Sequence, residues 1–323
     1  MRNVTKENGA QRTDNILIVI HVEGVANDKS WDFGLEFYYA NEESFYCRPV
    51  PLDESTFPDR MQVPEAARSV DVAFLPPMSG LATLETRLDQ GAINVRVGEG
   101  RTADVLRNLC HNVHTDDADR WGDIVNRIEK LFGARLEPPA YIEERGEIVM
   151  RYREGSSTLD LSASGRGLQQ TLLILAYMAA NPKATILLDE PDAHLEILRQ
   201  RQIYNDINEI AEAQGTQIIA ASHSEVLLNE AAARDLVIAF VGEPHRMDGR
   251  SDQVRKALAT IGYEQYLQAE LTGWVLYLEG STDLAILQEF ARRLNHAAAI
   301  RALERPFVHY VGNMPKLAEK HFF

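Results

Sequence analysis

The sequence predicts an α/β fold, and three observations carry that prediction. Between 161 and 241 a glycine-rich turn, an apolar helix, an apolar strand, a helix, a strand, a helix and a strand follow one another. That order suits a parallel sheet with helices packed on it. The run at 184–189 (ATILLD) is apolar until its last residue, as buried parallel strands are. The composition, 45% apolar and 25% charged, is that of a globular chain and not of a disordered one. A length of 323 residues allows one large domain or two of average size.

Taken in order, residues 1–14 are polar and read as a frayed start. Stretches 15–22 (NILIVIHV) and 34–40 (GLEFYYA) read as strands, and Pro49, Pro51, Pro58 and Pro64 mark 49–70 as loop. A short strand at 70–75 ends at Pro76-Pro77, and amphipathic helices are expected near 101–113 and 119–132. From 140 to 160 the pattern is strand-like, with Gly146 as the hairpin turn. A helix near 167–180 stops at Asn181-Pro182. The strand at 184–189 precedes a helix with apolar Leu195, Leu198, Ile203, Ile207 and Ile210. A strand at 216–221, a helix at 224–233 and a strand at 236–241 complete the alternation. After a linker-like helical stretch at 251–271, a strand at 274–278, a helix at 282–296 and a strand at 307–311 read as the beginning of a second domain.

Charge and composition exclude several classes. With 48 acidic and 33 basic residues the net charge is −15, the wrong sign for a general nucleic-acid coat. DNA contact would need a local basic patch or a bound metal. No apolar run reaches the roughly 18 residues of a membrane span. Residues 1–14 lack the apolar core of a signal peptide. Cys47 and Cys110 form neither a CxxC pair nor a disulfide framework, so a cytoplasmic, reducing setting is expected.

Three constellations carry chemistry. In LLDEP (187–191) an apolar strand ends in Asp189-Glu190, at the sheet edge where α/β proteins bind ligands. Adjacent carboxylates there are costly unless a cation or substrate proton offsets them. In nucleotide hydrolysis the first acid helps hold Mg²⁺ and the second orients water. In LSASGRGLQQ (161–170), Ser164 and Gly165 stand just before an apolar helix, where backbone N–H groups favour an anion. An N-capping serine with a glycine turn explains the same residues. In Ala221-Ser222-His223-Ser224 a histidine follows the next strand and could reach the same phosphate. A histidine at a helix start accounts for it as well.

The order of these segments resembles that of ABC-type ATPases. The resemblance rests on a signature (Ser164-Gly165-Arg166-Gly167 with Gln169-Gln170), a Walker B strand (Ile186 to Glu190), a D-loop (Pro191-Asp192-Ala193-His194) and a switch histidine (His223). The form DEPDAHLE resembles the soluble, DNA-associated branch; the signature departs from the transporter form LSGGQ, with Arg166 between its glycines. The resemblance implies ATP and Mg²⁺ as cofactors and a head-to-tail homodimer. Ser164, Gly165 and Gly167 of one head would face the γ-phosphate held by the other. Asp189 would hold Mg²⁺, Glu190 would position the attacking water, and His223 would contact the γ-phosphate. Asp192 and His194 would form the D-loop.

LYLEGSTD (276–283) resembles the first motif of a TOPRIM domain, which implies Glu279 as a metal-binding glutamate. ATPase followed by TOPRIM is the architecture of the OLD family of ATP-dependent nucleases, and phage defence is implied only through that resemblance. The expected organisation is an ABC-type ATPase domain at 15–268, with an antiparallel strand region and a helical lid near 79–132, then a partial TOPRIM-like domain at 269–323. Arg255, Lys256, Arg292, Arg293, Arg301 and Arg305 make that end locally more basic, although a solvated helix face explains them equally. Gly98-x-Gly100-x-x-Ala103 after INVRV is a weak dinucleotide fingerprint and is set aside.

No glycine in the chain is followed by lysine, so the G-x-x-x-x-G-K-[ST] phosphate loop of P-loop ATPases is not in these residues. Asp283 is the last aspartate, so no later DxD pair accompanies Glu279. The expectation is an internal piece of a longer protein, weakly active or inactive alone. A degenerate, non-catalytic dimerisation or regulatory module is the alternative. So is a metal-dependent nuclease with the ATPase part as scaffold.

Overall fold

The computed structural model describes residues 2–240, 244–246, 273–304, 306 and 308–312, apart from short gaps at 8–9, 16, 27, 42–43, 54–58, 79 and 233. The linker-like stretch expected at 251–271 lies outside the described residues. The chain divides into two compact units, Met1–Val72 and Ala73–Phe323.

The first unit is antiparallel. Strands β1 (Arg2–Glu7) and β2 (Ala10–Asn15) form a hairpin, so the frayed start expected at 1–14 is corrected. Glu7 pairs with Ala10, and the two residues between them in sequence are Asn-Gly, the strongest short hairpin signal. Strands β3 (Leu17–Ala26), β4 (Lys29–Asn41) and β5 (Ser44–Pro49) make a three-stranded sheet with β4 in the middle. Gly24 pairs with Trp31, whose ring would meet a Cβ there at 2.3 Å, so only glycine fits. A buried Glu36 on β4 accepts hydrogen bonds from Arg48 and Arg60, which satisfy its charge. One turn of helix, α1 (Glu65–Arg68), falls inside the stretch expected as loop.

The second unit holds the main core. After β6 (Val72–Leu75) come α2 (Gln90–Gly98), α3 (Leu106–Asp116) and α4 (Ala118–Phe132). Helix α2 contains INVRV and so removes the strand that a dinucleotide fingerprint would need. Its Ile93 and Val97, one turn apart, are buried. Strand β7 (Arg135–Leu136) follows, then the hairpin of β8 (Ala140–Ile142) and β9 (Glu147–Val149). Gly146 takes a φ of +63° in that turn, a backbone glycine adopts without strain. β10 (Arg151–Glu154) and β11 (Ser157–Asp160) pair, and β7 joins β10's other side.

Helix α5 (Arg166–Ala180) is the centre of the core. Every residue from Leu168 to Ala179 is buried, which is why this helix is apolar all round. It is tied at three places. Tyr177 Oη donates to the Phe74 carbonyl at 3.1 Å, the Met78 N–H donates to Gln170 Oε1 at 2.9 Å, and Arg120 Nη1 on α4 donates to the Ala179 carbonyl at 2.9 Å.

Strand β12 (Thr185–Asp189), helix α6 (Ile197–Gln214), strand β13 (Gln217–Ala221) and helix α7 (Glu225–Ala231) follow as read from the sequence. The sheet order is β13-β12-β6, with β12 and β13 parallel. Only one face of β12 is buried: Ile186 and Leu188 point into the core, while Leu187 is half-buried and its partner Ile219 is exposed. The expectation of a strand covered on both sides is corrected to that extent among the described residues. On α6, Ile203, Ile207 and Ile210 are buried, but Leu198 is exposed.

The strand expected at 236–241 is corrected too. β14 (Ile238–Ala239) is two residues long and pairs antiparallel with β15 (His245–Arg246), outside the β12–β13 sheet. Leu236, Ile238 and Phe240 remain exposed, so this apolar run does not continue the core. Last come β16 (Leu276–Leu278), α8 (Ser281–Arg293), α9 (Ala297–Ala302) and β17 (Val308–Tyr310). β16 and β17 are parallel, giving the strand–helix–strand unit read from the sequence.

Candidate active site

Strand register builds the centre of the site. β12 and β13 run parallel with Asp189 opposite Ala221, so the residues after each strand emerge side by side. The Glu190 N–H donates to the Ala221 carbonyl at 2.8 Å, locking the two strand ends together. His223 then lies with Nδ1 3.3 Å from Glu190 Oε1. The imidazole is 83% exposed and the Glu190 carboxylate 42%, so both are open to solvent. Asp189 is half-buried at the strand end.

Two residues here are held in the left-handed region, where non-glycine residues are uncommon. Glu190 has a φ of +47° and His194 a φ of +65°. Such conformations cost on the order of 1–3 kcal/mol and gather at functional sites. At Glu190 the turn ends the strand abruptly, and the Ala193 N–H donates back to its carbonyl at 3.0 Å.

The D-loop and the histidine turn are hydrogen-bonded to each other. Ser222 Oγ donates to Asp192 Oδ1 at 2.6 Å and accepts from the Ser224 N–H at 2.9 Å. Asp192 is buried, so its carboxylate serves as an internal anchor beneath His223 and does not reach out to ligand. Ser224 Oγ and Gln200 Oε1 are 2.9 Å apart, while Gln200 Nε2 donates to the Leu195 carbonyl at 3.0 Å. Gln200 went unremarked in the sequence, and nothing in the spacing marks Asp192 and Ser222, 30 positions apart, or Gln200 and Ser224, 24 apart, as partners.

The glycine-rich turn comes next. Ser164 is half-buried, Gly165 is exposed, and Gly165 is the N-cap of α5 with no side-chain cap. The α5 N-terminus therefore carries uncapped N–H groups. Ser164 Oγ donates to the Leu161 carbonyl at 2.7 Å, and Gln169 Nε2 donates to the Ser164 carbonyl at 2.9 Å. Gly167 packs against the D-loop: a Cβ there would stand 3.0 Å from the His194 carbonyl oxygen and 3.1 Å from Leu195 Cδ2. The glycine-rich turn and the 191–194 turn thus meet so closely that a side chain larger than hydrogen would force one of them to shift. Gly167→Val should destabilise the chain by about 1–3 kcal/mol through overpacking, read as a lowered urea midpoint. An unchanged midpoint would show that the D-loop backbone yields freely.

Glu279 lies 56 positions beyond His223 in sequence. It is exposed at the end of β16, and the Glu279 and Gly280 N–H groups donate to Asp283 Oδ2 at 3.1 and 3.0 Å. Asp283 is therefore engaged in holding the start of α8. Among the described residues no group of three or more His, Cys, Asp or Glu side chains is arranged to hold a metal ion. Arg292 and Arg293 both pair with Glu289, which offsets much of the basic character read there. Arg255, Lys256 and Arg305 lie outside the described residues. No helix among the described residues is long and apolar enough to cross a membrane.

Residues 79–229 match the family described as "AAA domain, putative AbiEii toxin, Type IV TA system". The matched stretch holds the glycine-rich turn, the acid pair and His223. Solved structures to which the chain is similar include SMC heads. An SMC head domain from Thermotoga maritima is 16% identical, covering 72% of this chain and 74% of that one, with a TM-score of 0.39. An SMC head from Pyrococcus furiosus, solved with the C-terminal domain of ScpA, is 16% identical over 53% of this chain and 46% of that one, with a TM-score of 0.35. A structure from work on ATP-driven dimerization and DNA-stimulated activation of SMC ATPases is 17% identical over 48% of this chain and 96% of that one, with a TM-score of 0.36. A search of curated proteins gave no match.

Proposed function

We propose that this chain supplies both protein faces of a composite ATP-hydrolysis site, used in a head-to-tail homodimer. One face is the edge formed by Asp189, Glu190 and His223. The other is the Ser164-Gly165-Gly167 turn of the second protomer. The observation that carries the reading is the 3.3 Å approach of His223 Nδ1 to Glu190 Oε1 at the ends of two parallel strands.

The donor set fits Mg²⁺ brought in with nucleotide. One or two carboxylates with phosphate oxygens and water are the usual ligands of this ion, which rarely uses an all-protein cage. Asp189 would hold it through water, and the ion would neutralise phosphate charge during transfer. Glu190 then faces the γ-phosphate side with one oxygen against His223 and the other free to orient the attacking water. With Nδ1 turned to Glu190, His223 Nε2 is the atom that meets the γ-phosphate. Water oxygen bonds to phosphorus, the β–γ bridging bond breaks toward ADP, and Glu190 accepts the water proton. The uncapped N–H groups at the start of α5 favour an anion, which suits Ser164 and Gly165 to the phosphate of the opposite head.

The finer reading is an OLD-like, DNA-processing ATPase in phage defence, with a TOPRIM-like region after it. It rests on the parallel β16–β17 pair and on Glu279 at its carboxyl end. The 323 residues contain no Gly-Lys pair, which favours a second reading in which the chain is a non-catalytic dimerisation module. Sedimentation of the protein separates the two. The proposal expects a dimer with Mg²⁺–ATP and a monomer with Mg²⁺–ADP. A mass indifferent to nucleotide contradicts it.

A further inference from the structure

The buried guanidinium of Arg107 is out of proportion to its packing role. Its side chain is 1% exposed, on α3, far in sequence from the site. Nη1 donates to the Ala82 carbonyl at 2.7 Å and lies 3.9 Å from Glu85 Oε2. Glu85 is itself buried and accepts from the Arg107 and Asn108 N–H groups and from Asn108 Nδ2. Burial nevertheless pushes the Glu85 carboxyl above the usual carboxylate range. Yet Nη2 reaches away from it and donates to Asp160 Oδ1 at 3.1 Å, a carboxylate that is 43% exposed.

Asp160 is the residue that shapes the glycine-rich turn. The same Oδ1 accepts the Ser162 N–H at 2.9 Å and pairs with Ser162 Oγ at 2.7 Å. It caps the short 3₁₀ turn Leu161–Ala163. The Leu161 carbonyl then accepts from both the Ser164 N–H and Ser164 Oγ. Gln169 closes the far side through the Ser164 carbonyl. Hydrogen bonds tie helix α3 to Asp160 and Ser162, and Ser164 to the Leu161 carbonyl, and the covalent backbone of the 3₁₀ turn joins the two sets. Burial alone would push the Asp160 carboxyl up, but the Ser162 bonds and the Arg107 guanidinium outweigh it and hold it below the usual carboxylate range.

We propose that Arg107, acting through Asp160, is a positioning residue that sets the pose of the Ser164-Gly165 turn and couples it to the lid helix α3. The inference rests on the reading of that turn as the phosphate-facing half of the site. Asp160→Asn keeps an oxygen to accept the Ser162 N–H but removes the charge that meets Arg107.

The test measures amide hydrogen exchange of the whole chain, without nucleotide. The Asp160→Asn chain should exchange about tenfold faster or more at 161–166, as expected for loss of a charge-assisted hydrogen bond, with α4 and α6 unchanged. Unchanged exchange at 161–166, or faster exchange throughout the unit, overturns the proposal. A second arm reads nucleotide-driven dimerisation of the protein. Weaker dimerisation with unaltered nucleotide binding in Asp160→Asn supports the coupling; dimerisation equal to wild type, despite a loosened turn, overturns it. If wild type itself fails to dimerise with ATP while the variant loosens only 161–166, the tether stands and the reading of the site falls.

Discussion

Replacing Glu190 with glutamine should, on the proposed function, lower ATP turnover by a factor on the order of 10²–10⁴, the usual worth of a positioned general base, while leaving ATP bound. Glutamine preserves the size of the side chain and an oxygen to meet His223, so binding contacts persist. It cannot accept a proton from water. Trapping should be visible as unhydrolysed ATP that co-migrates with a stable dimer on gel filtration. Full turnover in this variant would remove Glu190 from the chemistry. Loss of ATP binding together with turnover would mean that the residue holds the nucleotide and does not activate water.

Arg107→Met should destabilise the second unit by about 3–5 kcal/mol, because removing one member of a buried ion pair strands the other. Glu85 is 3% exposed and would lose the Arg107 guanidinium, 3.9 Å away. The Ala82 carbonyl would lose its guanidinium donor as well. The effect is read as a fall in urea midpoint at constant slope. A loss below about 1 kcal/mol would match a surface ion pair and show that the site is wetter than its burial indicates.

The part of the fold legible in the sequence was the part with strong local patterning. From Arg166 to Ala221, one buried helix, two short apolar strands and an amphipathic helix between them follow directly from run lengths and breakers. The acid pair and His223 could be placed on one edge because parallel strands deliver their ends to the same side. Helix α2 was not legible: INVRV is β-branched and reads as a strand, and only the burial of Ile93 and Val97 on one face makes it helical. The run at 236–241 misled in the opposite direction, since an apolar strand is indistinguishable from a core strand until its neighbours are known. The Glu85–Arg107–Asp160 network was invisible for a different reason. Its members are 22 and 53 positions apart, and charged residues in a helix are normally solvated. Likewise, nothing local to Ser222 announces that its hydroxyl anchors Asp192.

The central claim is that the acid–histidine edge of one protomer and the glycine-rich turn of another make one site. Mixing two variants tests it most directly: Glu190→Gln, which disables the edge, and Ser164→Arg, which blocks the turn. Each alone should be inactive, because every site in either homodimer is damaged. In an equal mixture, half of the dimers are mixed, and each of these carries one intact site and one doubly damaged site. The account predicts recovery of about a quarter of the wild-type ATPase rate on mixing, by the statistics of a two-fold dimer. A mixture as inactive as its components would contradict it.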